Sequence, residues 1–510
     1  MHTLRYLLII IIFFSPLQNC NGKTKPASKE FRLTILHTND IHGHFFSERR
    51  VGWEERLGGA PILSSIIKGI KRKNKKENVL TLILDAGDFY SGTPEGNITK
   101  GRAILKIMEK LGYNAINIGN HEFDDGKENL KELIGLSKIP FLGANIIDKD
   151  KDSIFDGIRP YILFKAQIKI AVIGVTTPET EVTTLPQNIK GLRFEDPIET
   201  VKYYKEKIVE ENGKSLFIIL SHLGLEEDKK LAKAVKGLSV IIGGHSHNLL
   251  TQPIKIKDTI ICQTGSYGRY LGKLDLWIDP DRLKIKRYRY RLIKIVEGST
   301  TPDPEMVSLI KRIRENLGID LERVISYAKV DIITNNDEES YLGDMITDAM
   351  REVTSAQIAF QNAHGIRYPL PKGEITIRDL FMVLPFNNTL VTMELTGEQI
   401  KEIVKLGLKR EHGMLQVSGL KIKYRERDGE IELVSIKLSD TGEDIRDDKS
   451  YRVVTNNFLA QGGDGMYIFL QGKNIKDTGL LLRNIVVDYL QKKIPLDPTN
   501  FKPNRIIQIP

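Results

Sequence analysis

Five short stretches of this 510-residue sequence concentrate oxygen and nitrogen donors: Asp40-Ile41-His42, Gly87-Asp88, Gly119-Asn120-His121-Glu122, Ser221-His222 and Gly244-His245-Ser246-His247. Each follows a short apolar run, for example Ile35-Leu36 before the first and Val240-Ile241-Ile242 before the last. Carboxylate oxygen together with imidazole nitrogen is the donor set of zinc, manganese, iron, cobalt or nickel, whereas all-oxygen sets suit magnesium or calcium. Asp40-x-His42 and His245-x-His247 place both side chains on one face of an extended chain, because the strand period is two. The glycines that precede them let the backbone turn sharply and approach a metal or phosphate. Taken singly, each stretch describes a turn or a capped strand end; in this order and together they specify a metal centre.

The elements that must position these residues follow from the apolar runs. Leu33–Leu36, Leu80–Leu84, Ile170–Val175, Leu216–Leu220 and Val240–Ile242 read as buried strands. Helical candidates lie between them, at 101–111 and 197–211, with another from Pro61 that ends in the solvated charge run 71–76. Alternation of buried strands and helices predicts a layered α/β domain, and ligands bind such sheets beyond the carboxyl ends of the strands. The stretch Lys284–Ile295, KIKRYRYRLIKI, interleaves basic and aromatic residues as single-stranded nucleic-acid binders do; its strict alternation predicts a half-exposed strand instead. Gly298–Pro304 reads as a linker running into a helix over 305–317. A second α/β region begins near Leu321, with a helix over 342–353.

Bulk composition sets the remaining bounds. Hydrophobic content of 41% and charge of 28% are those of a globular chain, and the net charge of +9 is a small excess over so long a sequence. No nucleic-acid partner is expected. The first residues carry Arg5 and an apolar run, 6–14, too short to span a bilayer and suited to a signal h-region. Cleavage after Gly22 gives an exported periplasmic or cell-surface protein. Leu17-Gln18-Asn19-Cys20 also resembles a lipobox, which would add a lipid anchor at Cys20, the one membrane contact expected. The two cysteines, Cys20 and Cys262, supply no intrachain disulfide framework in the mature chain.

The motifs resemble the calcineurin-like metallophosphoesterases, and ILHTNDIHGH, DAGDFYSGTP, NIGNHEFDDG, SHLG and GGHSH resemble the 5′-nucleotidase branch of that superfamily. QNAHGIR, LPFNNTL and NFLAQGGDGM, in the second half, are similar to the C-terminal domain of the same branch. The resemblance implies a four-layer metallophosphoesterase β-sandwich flanked by helices over 31–295, a linker with a helix over 296–320, and a smaller α/β substrate-binding domain over 321–510, after a leader over 1–22. It implies two divalent ions, zinc, manganese, cobalt or iron, bridged by an aspartate. Asp40, His42, Asp88 and His247 would hold one, and Asp88, Asn120, His222 and His245 the other. Two such ions clamp the attacking and leaving oxygens of an in-line phosphoryl displacement. His121 would face the phosphate and Asp124 would orient it. Phe386 and Phe458 would sandwich the base, Asp464 would accept ribose hydroxyls, and Asn362 and Arg367 would sit near the base and the phosphate. The family closes by rotating its second domain onto the first.

The sequence departs from that pattern in two places. The family often has an arginine shortly before the helix at Leu342, where this chain reads DIITNNDEESY. His364 stands where a glycine is common, either crowding the pocket or adding a phosphate contact. The expected activity is an exported phosphohydrolase acting on nucleotides, a 5′-nucleotidase first. UDP-sugars, 2′,3′-cyclic nucleotides or thiosulfonates are the alternative substrates on the same scaffold, and a nucleotide-binding surface lipoprotein is the non-enzymatic alternative.

Overall fold

The structure is a computed structural model that describes residues 30–48, 51–52 and 55–510; the expected leader and Cys20 lie outside them. Two six-stranded sheets form the N-terminal half. In the first, Phe31–Thr38, Leu80–Asp85, Ala115–Asn117 and Phe141–Leu142 run parallel, and Tyr270–Asp279 and Lys284–Lys294 complete one edge antiparallel. In the second, Lys169–Thr176, Leu216–His222, Val240–Gly243 and Thr259–Cys262 run parallel between antiparallel edges.

The expected strands are therefore those of two parallel sheet centres. Their continuous apolar runs are needed because both faces are covered. Leu33, Ile35, Leu82, Leu84, Val172, Ile218 and Ile242 fill the space between the sheets. Helices Gly59–Lys76, Arg102–Leu111 and Lys127–Leu136 cover the outer face of the first sheet, and Pro197–Asn212 and Leu225–Ala234 that of the second. The four layers are those expected. The basic–aromatic stretch forms the outermost strand of the first sheet, where exposed Lys and Arg side chains discourage pairing with another edge.

Helix Pro304–Glu315, capped by Asp303 and opened by Pro304, joins the halves. It packs Met306 and Ile313 into the N-terminal core. The C-terminal half is built on a five-stranded sheet in the order Leu415–Ser418, Ile358–Asn362, Ser450–Asn456, Thr389–Thr396, Lys473–Leu481. Helices Tyr341–Thr354, Gly397–Leu408 and Leu482–Lys492 contribute to its two apolar clusters. Among the described residues, no helix is long and apolar enough to cross a membrane. Cys262 is buried as a free thiol.

Candidate active site

The parallel strands of both sheets end on one side, and the loops leaving them lock together. The amide of Asp40 donates to the Gly87 carbonyl (3.0 Å), and those of His42 and Gly43 donate to the carbonyls of Asp88 and Phe89 (2.9 Å each). Such close approach excludes side chains. A Cβ on Gly119 would lie 2.2 Å from Asp88 Oδ1, and one on Gly87 would lie 2.7 Å from the Gly119 nitrogen. Asp40, His42, Asp88, His245 and His247 themselves hold positive φ, between 49° and 74°, a region sparsely populated by residues other than glycine.

These loops gather all seven residues expected to hold metal. His42 Nε2 and His247 Nε2 stand 3.1 Å apart, and His247 Nε2 is 3.5 Å from Asp40 Oδ1. Asp88 Oδ2 lies 3.1 Å from His222 Nε2 and 3.8 Å from His42 Nε2, between the two groups. His245 Nδ1 and Asn120 Oδ1 are 3.1 Å apart. Asp40 with His42 and His247, and Asp40 with Asp88 and His222, each converge closely enough to share an ion.

The protonation pattern fits cations. His42 Nδ1 donates to the Ser91 carbonyl and His222 Nδ1 to the Ala86 carbonyl, both at 2.8 Å. The outer nitrogen of each ring is thus the fixed donor, which leaves Nε2 facing inward as the ligand atom. His222 Nε2 is buried without a well-aligned hydrogen-bond partner, the condition of a donor atom awaiting a ligand. Burial would lower the His222 pKa, but Asp88 and Asp40 outweigh it and push it up to about 10; the carboxylates call for positive charge at the position a cation would take. Burial, followed by the charge of Arg367, holds His247 neutral; burial outweighs the attraction of Asp88 and does the same for His42. Burial alone would raise the Asp88 carboxyl, but His222, His121 and His42 outweigh it and hold it well below the usual range. The clustered residues can bind a dinuclear metal site.

His121 opens a single turn, His121–Phe123, directly after Asn120. Its Nδ1 lies 2.9 Å from Asp124 Oδ2, and Asp124 also accepts from the Ser91 hydroxyl at 2.5 Å. Burial would lower the His121 pKa; Asp124 and Asp88 outweigh that and raise it, favouring a cationic ring. Phe123 is fully buried among Phe155 and Phe194 and anchors the turn.

A cavity of about 820 Å³ extends from this cluster to the C-terminal half. Asn362, Arg367, Phe386, Phe458 and Asp464 line it together with Asp88, Asn120, His121, His245 and His247. The Phe386 ring lies nearly parallel to His121, 5.8 Å away with 17° between planes. Gly463 has no Cβ because one would meet the Phe458 ring at 2.5 Å. Asn362 Nδ2 donates to Asp464 Oδ2 (2.9 Å), and burial pushes the Asp464 carboxyl up to about 6.

Residues 33–249 match the calcineurin-like phosphoesterase family, and 321–471 match the 5′-nucleotidase C-terminal domain. A snake venom 5′-nucleotidase from Naja atra is 30% identical over 521 residues, covering 91% of this chain and 96% of that protein. The chain belongs to the 5′-nucleotidase family. The trifunctional nucleotide phosphoesterase protein YfkN of Bacillus subtilis (strain 168) is also 30% identical, over 90% of this chain, which spans only 34% of that longer protein. The crystal structure of a 5′-nucleotidase precursor from Thermus thermophilus is similar with a TM-score of 0.85 and 29% identity, covering 94% of this chain and 99% of that one. As a member of this family the chain is a metal-dependent phosphoester hydrolase, the class expected from its motifs.

For this 5′-nucleotidase family member, several site residues escaped sequence reasoning. Glu122 is fully buried and accepts three backbone amides, Asp88 (2.9 Å), Phe89 (2.9 Å) and Gly119 (2.6 Å), tying two loops of the centre together. Burial and nearby Asp88 raise its carboxyl, against the pull of those amides, which hold both oxygens as acceptors. Asn39 bridges Asp40 Oδ2 (2.6 Å) to the Thr264 amide (2.9 Å). Glu179 stands 3.2 Å from His245 Nε2. In the 331–341 segment, which carries no basic residue, Thr334 and Asn336 line the cavity. Two guanidinium residues, Arg367 and Arg269, line the wall among the described residues, the latter donating to Ser266. His364 also faces the cavity; burial, Arg367 and His412 lower its pKa to about 4 and keep it neutral.

Proposed function

We propose that this protein is an exported 5′-nucleotidase that releases phosphate from nucleoside 5′-monophosphates. One observation carries the reading: a single cavity of about 820 Å³ joins the metal-binding cluster to Phe386, Phe458 and Asp464. That volume is within the range of small-ligand sites. It offers an aromatic pair for a base, a carboxylate for ribose and Arg367 for a phosphate. Paired aromatic faces accept any base through stacking, which favours nucleotides over bare thiosulfonates.

Asp40, His42, Asp88 and His247 would hold one divalent ion, and Asp88, Asn120, His222 and His245 the second, with Asp88 common to both. When bound, the ions supply Lewis-acid polarisation of the phosphoryl group and activation of water. The chain's own groups do the rest. Arg367 neutralises phosphate charge and turns the ester toward the cluster. Protonated His121, held by Asp124, faces the transferring group, stabilises its developing charge and supplies a proton to the departing 5′ oxygen. Phe386 and Phe458 fix the base, so that the ester reaches the cluster in one orientation.

Hydrolysis of AMP, other monophosphates, ATP, UDP-glucose, 2′,3′-cyclic AMP and bis-p-nitrophenyl phosphate tests the assignment, with Mn, Zn, Co or Mg restored after chelation. Free phosphate reads the monophosphates and ATP, p-nitrophenol reads the bis ester, and chromatography of the nucleotide products reads the cyclic nucleotide and the UDP-sugar. Metal-dependent preference for AMP-like monoesters is expected. Activity confined to diesters or UDP-sugars would move the substrate to another class on the same centre, and AMP binding without turnover would leave a binding protein.

A further inference from the structure

A closed circuit of contacts links the metal cluster to the base-stacking ring, and only one of its hydrogen bonds crosses between the two halves. His121 is held by Asp124, and Asp124 by the Ser91 hydroxyl. Ser91 also fixes His42 through its carbonyl. The next residue, Gly92, donates its amide to Asn97 Oδ1 at 2.8 Å. With that oxygen accepting, the amide of Asn97 has a defined orientation, and Nδ2 donates to the Pro385 carbonyl at 2.5 Å. Pro385 precedes Phe386, whose ring lies parallel to His121. The circuit thereby closes on the residue where it began.

The helix that carries Asn97, Pro94–Ile98, is itself pinned. Glu95 is fully buried, and its Oε1 meets Arg378 Nη1 of the C-terminal half at 2.7 Å and Arg314 Nε of the joining helix at 3.2 Å. Arg378 Nε is braced in turn by Glu322 at 2.9 Å. A buried carboxylate between two guanidinium groups fixes geometry strongly, because removing one partner strands a charge. Three segments of the chain therefore meet at this short helix, which follows closely on the Asp88 loop.

We propose that Asn97 is a positioning residue for nucleotide hydrolysis: its amide sets the Phe386 loop against the Ser91–Gly92 loop, and so sets the base against the reacting phosphate. The inference rests on the nucleotide reading above. Substrates with a base use the circuit; a phenyl phosphate that reaches only the metal cluster does not. Asn97→Asp separates the two halves of the bond pair. The carboxylate still accepts from Gly92 but faces the Pro385 carbonyl without a proton to share. Arg483 Nη1 already donates to that carbonyl at 3.2 Å, so the loop stays hydrogen-bonded and the fold is not at risk.

The test is kcat/KM for AMP and for p-nitrophenyl phosphate, measured on metal-reconstituted wild type, Asn97→Asp and Asn97→Ser. Asn97→Asp, which keeps the Gly92 bond, is expected to lose on the order of tenfold on AMP, the worth of one hydrogen bond, while keeping wild-type activity on p-nitrophenyl phosphate. Asn97→Ser, which also frees the Gly92 amide, is expected to lose on both substrates, and more on AMP. Equal losses of Asn97→Asp on both substrates would overturn the inference, since Asn97 would then act on the metal loops alone. No loss on either would overturn it too, while wild-type AMP turnover left the proposed function standing. A wild type that cleaves p-nitrophenyl phosphate but no nucleotide would overturn both.

Discussion

Glu122→Ala should damage the protein more than any single ligand replacement, and the structure sets the size of the effect. The carboxylate is fully buried and takes three amide hydrogens, at 2.9, 2.9 and 2.6 Å. Alanine leaves three buried donors unpaired, each costing about 1–3 kcal/mol. The sum, roughly 3–9 kcal/mol, compares with a total stability of about 5–15 kcal/mol. Glutamine supplies a graded control. Its one oxygen, placed where Oε2 now serves Asp88 and Gly119, leaves only the Phe89 amide facing an N–H, a cost of about 1–3 kcal/mol. Urea unfolding of metal-reconstituted wild type, Glu122→Gln and Glu122→Ala, followed by circular dichroism with metal content measured in parallel, reads the series. Alanine should also lower metal content, since Asp88 and Asn120 flank the released amides. A loss below about 1 kcal/mol for alanine, or equal losses for alanine and glutamine, would refute the assignment of Glu122 as the brace between these loops.

Three further outcomes follow from the site. His121→Ala should reduce kcat by about 10²–10⁴-fold with both metals retained, and Asp124→Asn should reduce it less; an unchanged kcat for His121→Ala would remove it from the chemistry. Phe386→Ala and Phe458→Ala should each raise KM for AMP, by an amount matching the roughly 1–3 kcal/mol of one base–aromatic stack, with little change for p-nitrophenyl phosphate. Asp464, raised by burial to about 6, accepts ribose hydroxyls fully only when ionised, above that value. KM for AMP should therefore rise as pH falls through 6, and 2′,3′-dideoxy-AMP should not show the effect; a pH-independent ratio of the two KM values would exclude Asp464 from ribose recognition.

Much of this centre could be read directly from the sequence, because parallel strands buried on both faces must be apolar and their ends must not be. The change from Val240-Ile241-Ile242 to Gly243-Gly244-His245 marks such an end, and the histidine spacing then restricts the chemistry. Helix starts were less exact for a local reason: Ser340 caps the helix through the Gly343 amide at 3.0 Å, so the helix begins at Tyr341 rather than Leu342. What could not be read were partners distant in the chain. Glu122 looks like one more polar residue of its motif until Asp88 and Phe89, more than thirty positions away, arrive at its oxygens. Asn97 meets Pro385 across 288 positions, and no local pattern encodes that. Arg269 had no motif around it at all.

The left-handed backbone at Asp40, His42, Asp88, His245 and His247 narrows what mutation can do to this centre. Asparagine, aspartate and histidine tolerate that conformation far better than other side chains, and glycine adopts it freely but offers no donor. Point mutation can therefore exchange hard and borderline donors among themselves at these positions, moving preference within the zinc, manganese, iron and cobalt series. Cysteine and methionine, the donors that select soft ions such as Cu(I), would be strained on arrival. Sulfur donors are thus disfavoured at five of the seven positions, and only Asn120 and His222, in ordinary right-handed and extended backbone, leave room for them.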